Sequence, residues 1–325
     1  MEIREAIIHA LDGDAILFIG SGFSLGAINE GNKKIETATP LAHKLLAECD
    51  FEEKDFTNDL GIASRIYQSA KSEIDLIEFL RKEYTAIDVT PEQEIIAQIN
   101  WQRIYTTNYD NVFELACEKN KKKIQSVTLS DRPNDFKNKS NLCIHINGDI
   151  KRLTQEKLNS EFKLTNVSYL TEDFNKSEWL TLFRSDLQTA KSIIFIGYSM
   201  QYDLDLQRIV YLTPKLIDKT FFIISEQASK TEQALIKTFG MPFPIGIKKL
   251  TEHINEIKKN HVHITKLPDS YLCFSKPKIK DFPSSILDID EFNLLVRGEY
   301  NIDNLYYSTI NPTDFVYSDA AYLHH

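Results

Sequence analysis

Cysteine is scarce in this chain and never closely spaced. The four residues Cys49, Cys117, Cys143 and Cys273 offer no Cys-x-x-Cys pair for half of a zinc site and no spacing that suggests a disulfide framework. They read as reduced, mostly buried thiols, and no zinc is expected. Long apolar runs are also missing, since nothing approaches the roughly 20 residues of a membrane helix. A basic surplus is absent as well. With 38 Lys and Arg against 47 Asp and Glu, the formal net charge is -9, which disfavours a general nucleic-acid surface. The first residues, MEIREAIIHALDGD, scatter charges among apolar positions instead of running a basic start into an apolar block, so they do not read as a signal peptide. These absences place the chain in the cytoplasm, with no membrane and no direct nucleic-acid partner.

What is present is an ordinary globular composition, 42% hydrophobic and 26% charged over 325 residues. That is enough for one large domain, or for a domain with an appendage. An apolar run at Ala15 to Gly20 is followed by similar buried-strand candidates at Arg103 to Thr107, Ile124 to Thr128, Leu142 to Ile146, Ser192 to Gly197 and Thr220 to Ser225. Between most of them lie helical patterns, at Tyr109 to Glu118, Ser177 to Ala190, Leu204 to Leu212 and Ser229 to Phe239. Buried strands alternating with helices predict an α/β fold, a Rossmann-like parallel sheet with helices on both faces.

Residues 41–100 break that rhythm with helical patterns and no convincing strand. They are expected to form a helical insertion over the carboxyl edge of the sheet, making one wall of a cleft. Residues 1–260 then form one domain. The stretch 261–325, with short strand-like runs and Pro, Asp and Ser turns, is either a small β-rich C-terminal appendage or the start of a further domain cut short. The densest basic run, Lys121 to Lys123, reads as a solvated turn.

Ligands of a doubly wound sheet bind at the carboxyl ends of its strands. Four polar endings sit there: GSGFS (Gly20 to Ser24), TTNYD (Thr106 to Asp110), HINGD (His145 to Asp149) and GYSMQYD (Gly197 to Asp203). Glycines in the first permit a tight turn and close approach of the main chain to a diphosphate at a helix N-terminus. The simpler role of a glycine turn is only to turn. Asn108 or Asp110 could equally cap the helix that follows, and Asp203 the next one.

Together, in this order and spacing, the four motifs resemble the sirtuin family and its bacterial sirtuin-like relatives, over roughly Ala15 to Asn260. The resemblance implies that Gly20, Ser21, Gly22 and Ser24 cradle the diphosphate of NAD. It implies that Asn108 and Asp110, after Thr107, flank the nicotinamide ribose, and that Gly197 and Ser199 hold the adenosine side. Phe23 and Tyr198 are candidates to line the nicotinamide and adenine pockets, and Asp203 completes the cofactor-binding set. Three departures qualify the match. The zinc-holding Cys-x-x-Cys pairs of the deacylase branch are absent, and so is its Gly-Ile-Pro-x-Phe-Arg run. Asn147 stands where the family has the histidine of its His-Gly motif.

What remains resembles the sirtuin-like NADases of bacterial antiphage defence, which hydrolyse NAD to nicotinamide and ADP-ribose. That resemblance further implies a homo-oligomer and a sensor or effector protein, bound or fused. The candidate catalytic residues are Asn108, Asp110, His145 and Asn147. Asparagine cannot take a proton near neutral pH. His145 and Asn147 share a strand face but sit about 6.5 Å apart along it, so one does not substitute for the other without a bulge. His145 is therefore read as a core-facing or ribose-side histidine with a satisfied ring, and Asn147 as a histidine replaced by asparagine, by design or in a natural pseudoenzyme. The rival function is a catalytically silent module that senses NAD or ADP-ribose.

Overall fold

A computed structural model describes residues 2–136, 141–158, 160–162, 164, 177–198 and 214–260. The chain divides into two units, Met1–Asn260 and His261–His325, and the described elements all belong to the first. The expected appendage at 261–325 and the expected helix Leu204 to Leu212 lie outside the described residues.

Helix α1 (Ile3–Leu11), opened by a Glu2/Glu5 capping box, leads into strand β1 (Ala15–Ile19). A two-residue strand β2 (Ile28–Asn29) follows, then helices α2 (Ala38–Ala47), α3 (Leu60–Ala70) and α4 (Glu73–Tyr84), strand β3 (Ala86–Asp88) and helix α5 (Pro91–Gln98). Alternation then becomes regular: β4 (Arg103–Thr106), α6 (Val112–Lys119), β5 (Gln125–Thr128), β6 (Leu142–His145), α7 (Gln155–Leu158), α8 (Glu178–Thr189), β7 (Ser192–Ile196), β8 (Thr220–Ile223), α9 (Lys230–Ile236), β9 (Met241–Phe243) and α10 (Gly246–Asn260).

Seven strands form one parallel sheet in the order β5-β6-β4-β1-β7-β8-β9. All five residues of β1 are buried, which is why it reads as a continuous apolar run instead of an alternating one. Their side chains divide by parity. Leu17 and Ile19 join Ile194, Ile196, Phe221 and Ile223 on one face, under α1, α5, α6 and α10. Ile16 and Phe18 join Tyr105, Ile193, Phe195 and Phe222 on the other, under Trp179, Phe183 and Leu187 of α8 and Ile236 of α9. The fold is α/β and Rossmann-like, with helices on both faces, and β1 and β7 adjoin where the chain reverses direction across the sheet.

The segment between β1 and β4 is largely helical and engages the carboxyl-end loops. Arg81 Nη2 donates to Leu153 O at 2.7 Å, and Gln93 Nε2 donates to Phe23 O at 2.7 Å. One feature departs from the sequence reading: β3 lies inside residues 41–100 and pairs antiparallel with β2. Three residues are too few to show a period of two. Strand β9 also escaped, because it is short and carries Pro242; it sits at the sheet edge, where a missing N–H costs no ladder bond. Lys122 is not simply solvated, since its ammonium donates to the carbonyls of Ala97 and Ile99 at the C-terminal end of α5.

Candidate functional site

The switch point between β1 and β7 is built from glycine. Gly20 N donates to Ile196 O at 3.0 Å and Gly22 N to Gly197 O at 2.9 Å. Gly197 has a φ of +66°, and a Cβ there would stand 2.2 Å from Phe23 N; one on Gly20 would stand 2.5 Å from Gly197 O. The two loops interlock main chain to main chain, and this contact alone requires the glycines. Ser21 is exposed at the start of a 3-10 turn, Ser21–Phe23. The Phe23 ring turns into the core, with centroids 6.1 Å from Phe113. Tyr198 is buried edge-on to Phe18 at 5.5 Å. Both aromatic rings pack against protein side chains. Ser199 and Asp203 lie outside the described residues.

Beneath this turn a chain of polar groups is closed off from water. Asn108 Nδ2 donates to Gly20 O at 3.0 Å and to Ser24 Oγ at 2.9 Å, and Ser24 Oγ donates to Asp110 Oδ2 at 2.7 Å. Asp110 Oδ1 accepts from Val112 N at 3.1 Å, so the same carboxylate also holds the first turn of α6. Thr107 N donates to Ile19 O at 3.3 Å, and the Thr107 carbonyl accepts from Asn147 Nδ2 at 3.2 Å. The fold thus brings Gly20, Ser24, Thr107, Asn108, Asp110 and Asn147 together from three strand ends. Burial pushes the Asp110 carboxyl up to about 6 although Ser24 and the Val112 amide stabilise its charge.

His145 sits one layer deeper. It is 1% exposed, and both ring nitrogens are engaged: Nδ1 at 2.9 Å from Asn108 O, and Nε2 at 2.7 Å from Glu114 Oε1. Burial alone would lower its pKa, but the Glu114 carboxylate outweighs that and raises it to about 9. Burial would raise Glu114, and His145 brings it below its usual value. Asn147, two positions beyond the end of β6, is 5% exposed.

The Gly-Asp after Asn147 has a local explanation. Gly148 adopts a φ of +103°, and a Cβ there would stand 2.8 Å from the Phe162 ring. Asp149 accepts from Lys151 N at 2.9 Å, capping the 3-10 turn Ile150–Arg152, and from Ser126 Oγ at 2.7 Å. Sequence reasoning passed over Glu114, Gln93 and Ser126. Glu114 carried a signal, standing in the first turn of α6 four residues past Asp110.

Fold and site together define a doubly wound α/β domain whose polar centre lies at the topological switch point, where such sheets bind ligands. Residues 102–240 match the family model of the SIR2-like domain. That span covers the Asn108, Asn147 and Gly197 segments and leaves out the Gly20–Ser24 turn. No curated protein matches the chain. Among solved structures, the chain is similar to one from work on the mechanism and regulation of Sir2 enzymes, at 16% identity and a TM-score of 0.44, covering 80% of this chain and 100% of that one. It is also similar to Sir2Af2 bound to a myristoylated histone peptide, at 13% identity and a TM-score of 0.37, covering 80% and 98%.

Proposed function

We propose that the chain is an NAD glycohydrolase, releasing nicotinamide and ADP-ribose, and that NAD is its substrate instead of a resident cofactor. The observation that supports this most directly is the buried chain Gly20–Asn108–Ser24–Asp110 at the switch point. Breaking the nicotinamide–ribose bond passes through an oxocarbenium-like state, comparable to glycoside hydrolysis. A carboxylate held beside the ribose stabilises that positive charge once it is ionised, and Asp110 is ionised above about pH 6. Asn108, fixed through its Nδ2, orients ribose or water. His145 acts through the Asn108 main chain and not on the substrate, because both its nitrogens are taken.

This assignment leaves the position of the general base to Asn147, which cannot perform it. General-base help is worth on the order of 10² to 10⁴ in rate. The decisive comparison is nicotinamide and ADP-ribose release by this chain and by its Asn147→His variant. Turnover at least about 100-fold higher in the variant is expected. Equal turnover would remove position 147 from the mechanism.

A second reading is a silent sensor of NAD or ADP-ribose. It is favoured by the same geometry, since Asn147 is not a base and the His145 ring is sealed. Binding of NAD by both forms with turnover by neither would select it. Following the resemblance to sirtuin-like NADases, we place the activity in antiphage defence, in a cytoplasmic homo-oligomer with a sensor or effector partner. No helix among the described residues is long and apolar enough to cross a membrane.

A further inference from the structure

Three donors of different chemistry meet under the Asn108 loop. Cys143 and His145 alternate on β6 and so present one face, and Glu114 leans over that face from α6. Cys143 Sγ lies 3.8 Å from His145 Nε2, Glu114 Oε1 lies 2.7 Å from the same nitrogen, and one donor atom from each residue falls within 4.8 Å of the others. We propose that Glu114, Cys143 and His145 form a site for one thiophilic divalent cation, with zinc as the natural occupant.

Donor spacing fits. Tetrahedral zinc with bonds of about 2.3 Å to sulfur and about 2.0 to 2.2 Å to nitrogen and oxygen separates S from N by roughly 3.6 Å and N from O by roughly 3.4 Å. Side-chain movements of under about an ångström reach this from the hydrogen-bonded arrangement. Outer contacts fit as well. His145 Nδ1 faces the Asn108 carbonyl, the second-shell partner that a metal-bound imidazole characteristically has, and this presents Nε2 inward. Glu114 Oε2 is sealed from solvent, and the Glu114 carboxylate is engaged by both His145 and the Cys143 thiol. Charge also closes: a thiolate, a carboxylate and a neutral imidazole neutralise a dication, so burial carries no net charge. Three protein ligands leave one position for a fourth donor such as water.

Loading displaces the thiol proton of Cys143 and the proton shared between His145 and Glu114. The metal would then tie α6 to β6 directly below Asn108. This site stands apart from any Cys-x-x-Cys arrangement and from the NAD reading, and it survives if that reading fails.

The test is a cobalt(II) titration of the metal-free full chain. One equivalent should bind with a near-ultraviolet thiolate-to-cobalt charge-transfer band and the intense visible absorption of tetrahedral cobalt. Zinc should abolish both by competition. Cys143→Ser should remove the charge-transfer band, and Glu114→Gln should weaken binding by at least the ten- to hundredfold typical of losing even an outer-shell partner. A wild-type chain with no thiolate band overturns the proposal whether or not the variants fold. A band that persists in Cys143→Ser assigns the metal to another cysteine and also overturns it.

Discussion

Asp110 shows at the scale of one residue how a site costs stability. Its carboxylate is buried and feels the charges of Glu114 and His145, and burial moves its pKa from 3.8 to about 6. Between those values the folded chain holds a proton that the unfolded chain has released. Stability therefore falls as pH rises across that window and stays lowered above it. The shift corresponds to at most about 3 kcal/mol. Asp110→Asn keeps an acceptor for Val112 N and removes the charge, at some cost in reorienting the Ser24 hydroxyl. The variant should be about 1 to 2 kcal/mol more stable than wild type at pH 8, with the gain vanishing below pH 4, while NAD turnover drops. Denaturant melts at the two pH values check this, and a variant less stable at pH 8 would show that the charge is compensated. The sequence displayed Asp110 plainly, as the end of a TTNYD run, but not its burial. Its buried hydrogen-bond partner, Ser24, stands 86 positions away.

At the scale of elements, strand ends were legible and their neighbours were not. Five-residue apolar runs at Ala15 and Ser192 announce central strands because both faces of the sheet are covered. The glycines at 20, 22 and 197 were equally visible. Their interlock was not, because the pairing of β1 with β7 is a topological fact that spacing does not encode. The same holds for Cys143, His145 and Glu114: a spacing rule that looks for Cys-x-x-Cys is blind to donors brought together across 31 positions. A comparable cross-element link braces β4, whose end carries Asn108. Arg103 Nε pairs with Asp186 Oδ2 of α8 at 2.6 Å, and Tyr105 OH donates to the same oxygen at 2.6 Å. Arg103 and Asp186 are both buried. Asp186→Ala would strand a guanidinium in the core and should cost about 3 to 5 kcal/mol in chemical denaturation. Replacing Arg103, Tyr105 and Asp186 together with apolar side chains of similar volume should recover most of the loss. A single-variant cost below about 1 kcal/mol would mean that water reaches the pair.

At the scale of the whole molecule, the unit Met1–Asn260 covers both faces of its sheet with its own helices, and α10 closes one of them through Leu250, Ile254 and Ile257. Among the described residues Leu25 and Leu235 are also left outward, but most of the exposed large apolar side chains lie on the insertion, where Phe51, Ile62 and Ile74 are 41%, 44% and 53% exposed and Ile87 is exposed too. Single exposed apolar residues are common on monomers and need no partner. The expectation of a homo-oligomer gives Phe51, Ile62 and Ile74 a specific use, as anchors of a subunit contact made by the insertion. Electrostatics permits it only if the contact is apolar, because a net charge of -9 opposes self-association over most of the surface. Light scattering of the full chain at micromolar concentration should then give a defined oligomer that persists when salt is varied. Ile62→Glu with Ile74→Glu should return it to monomer without lowering its melting temperature. A wild-type chain that is strictly monomeric removes the oligomer from the proposal, whereas an oligomer untouched by the two glutamates moves the contact off the insertion.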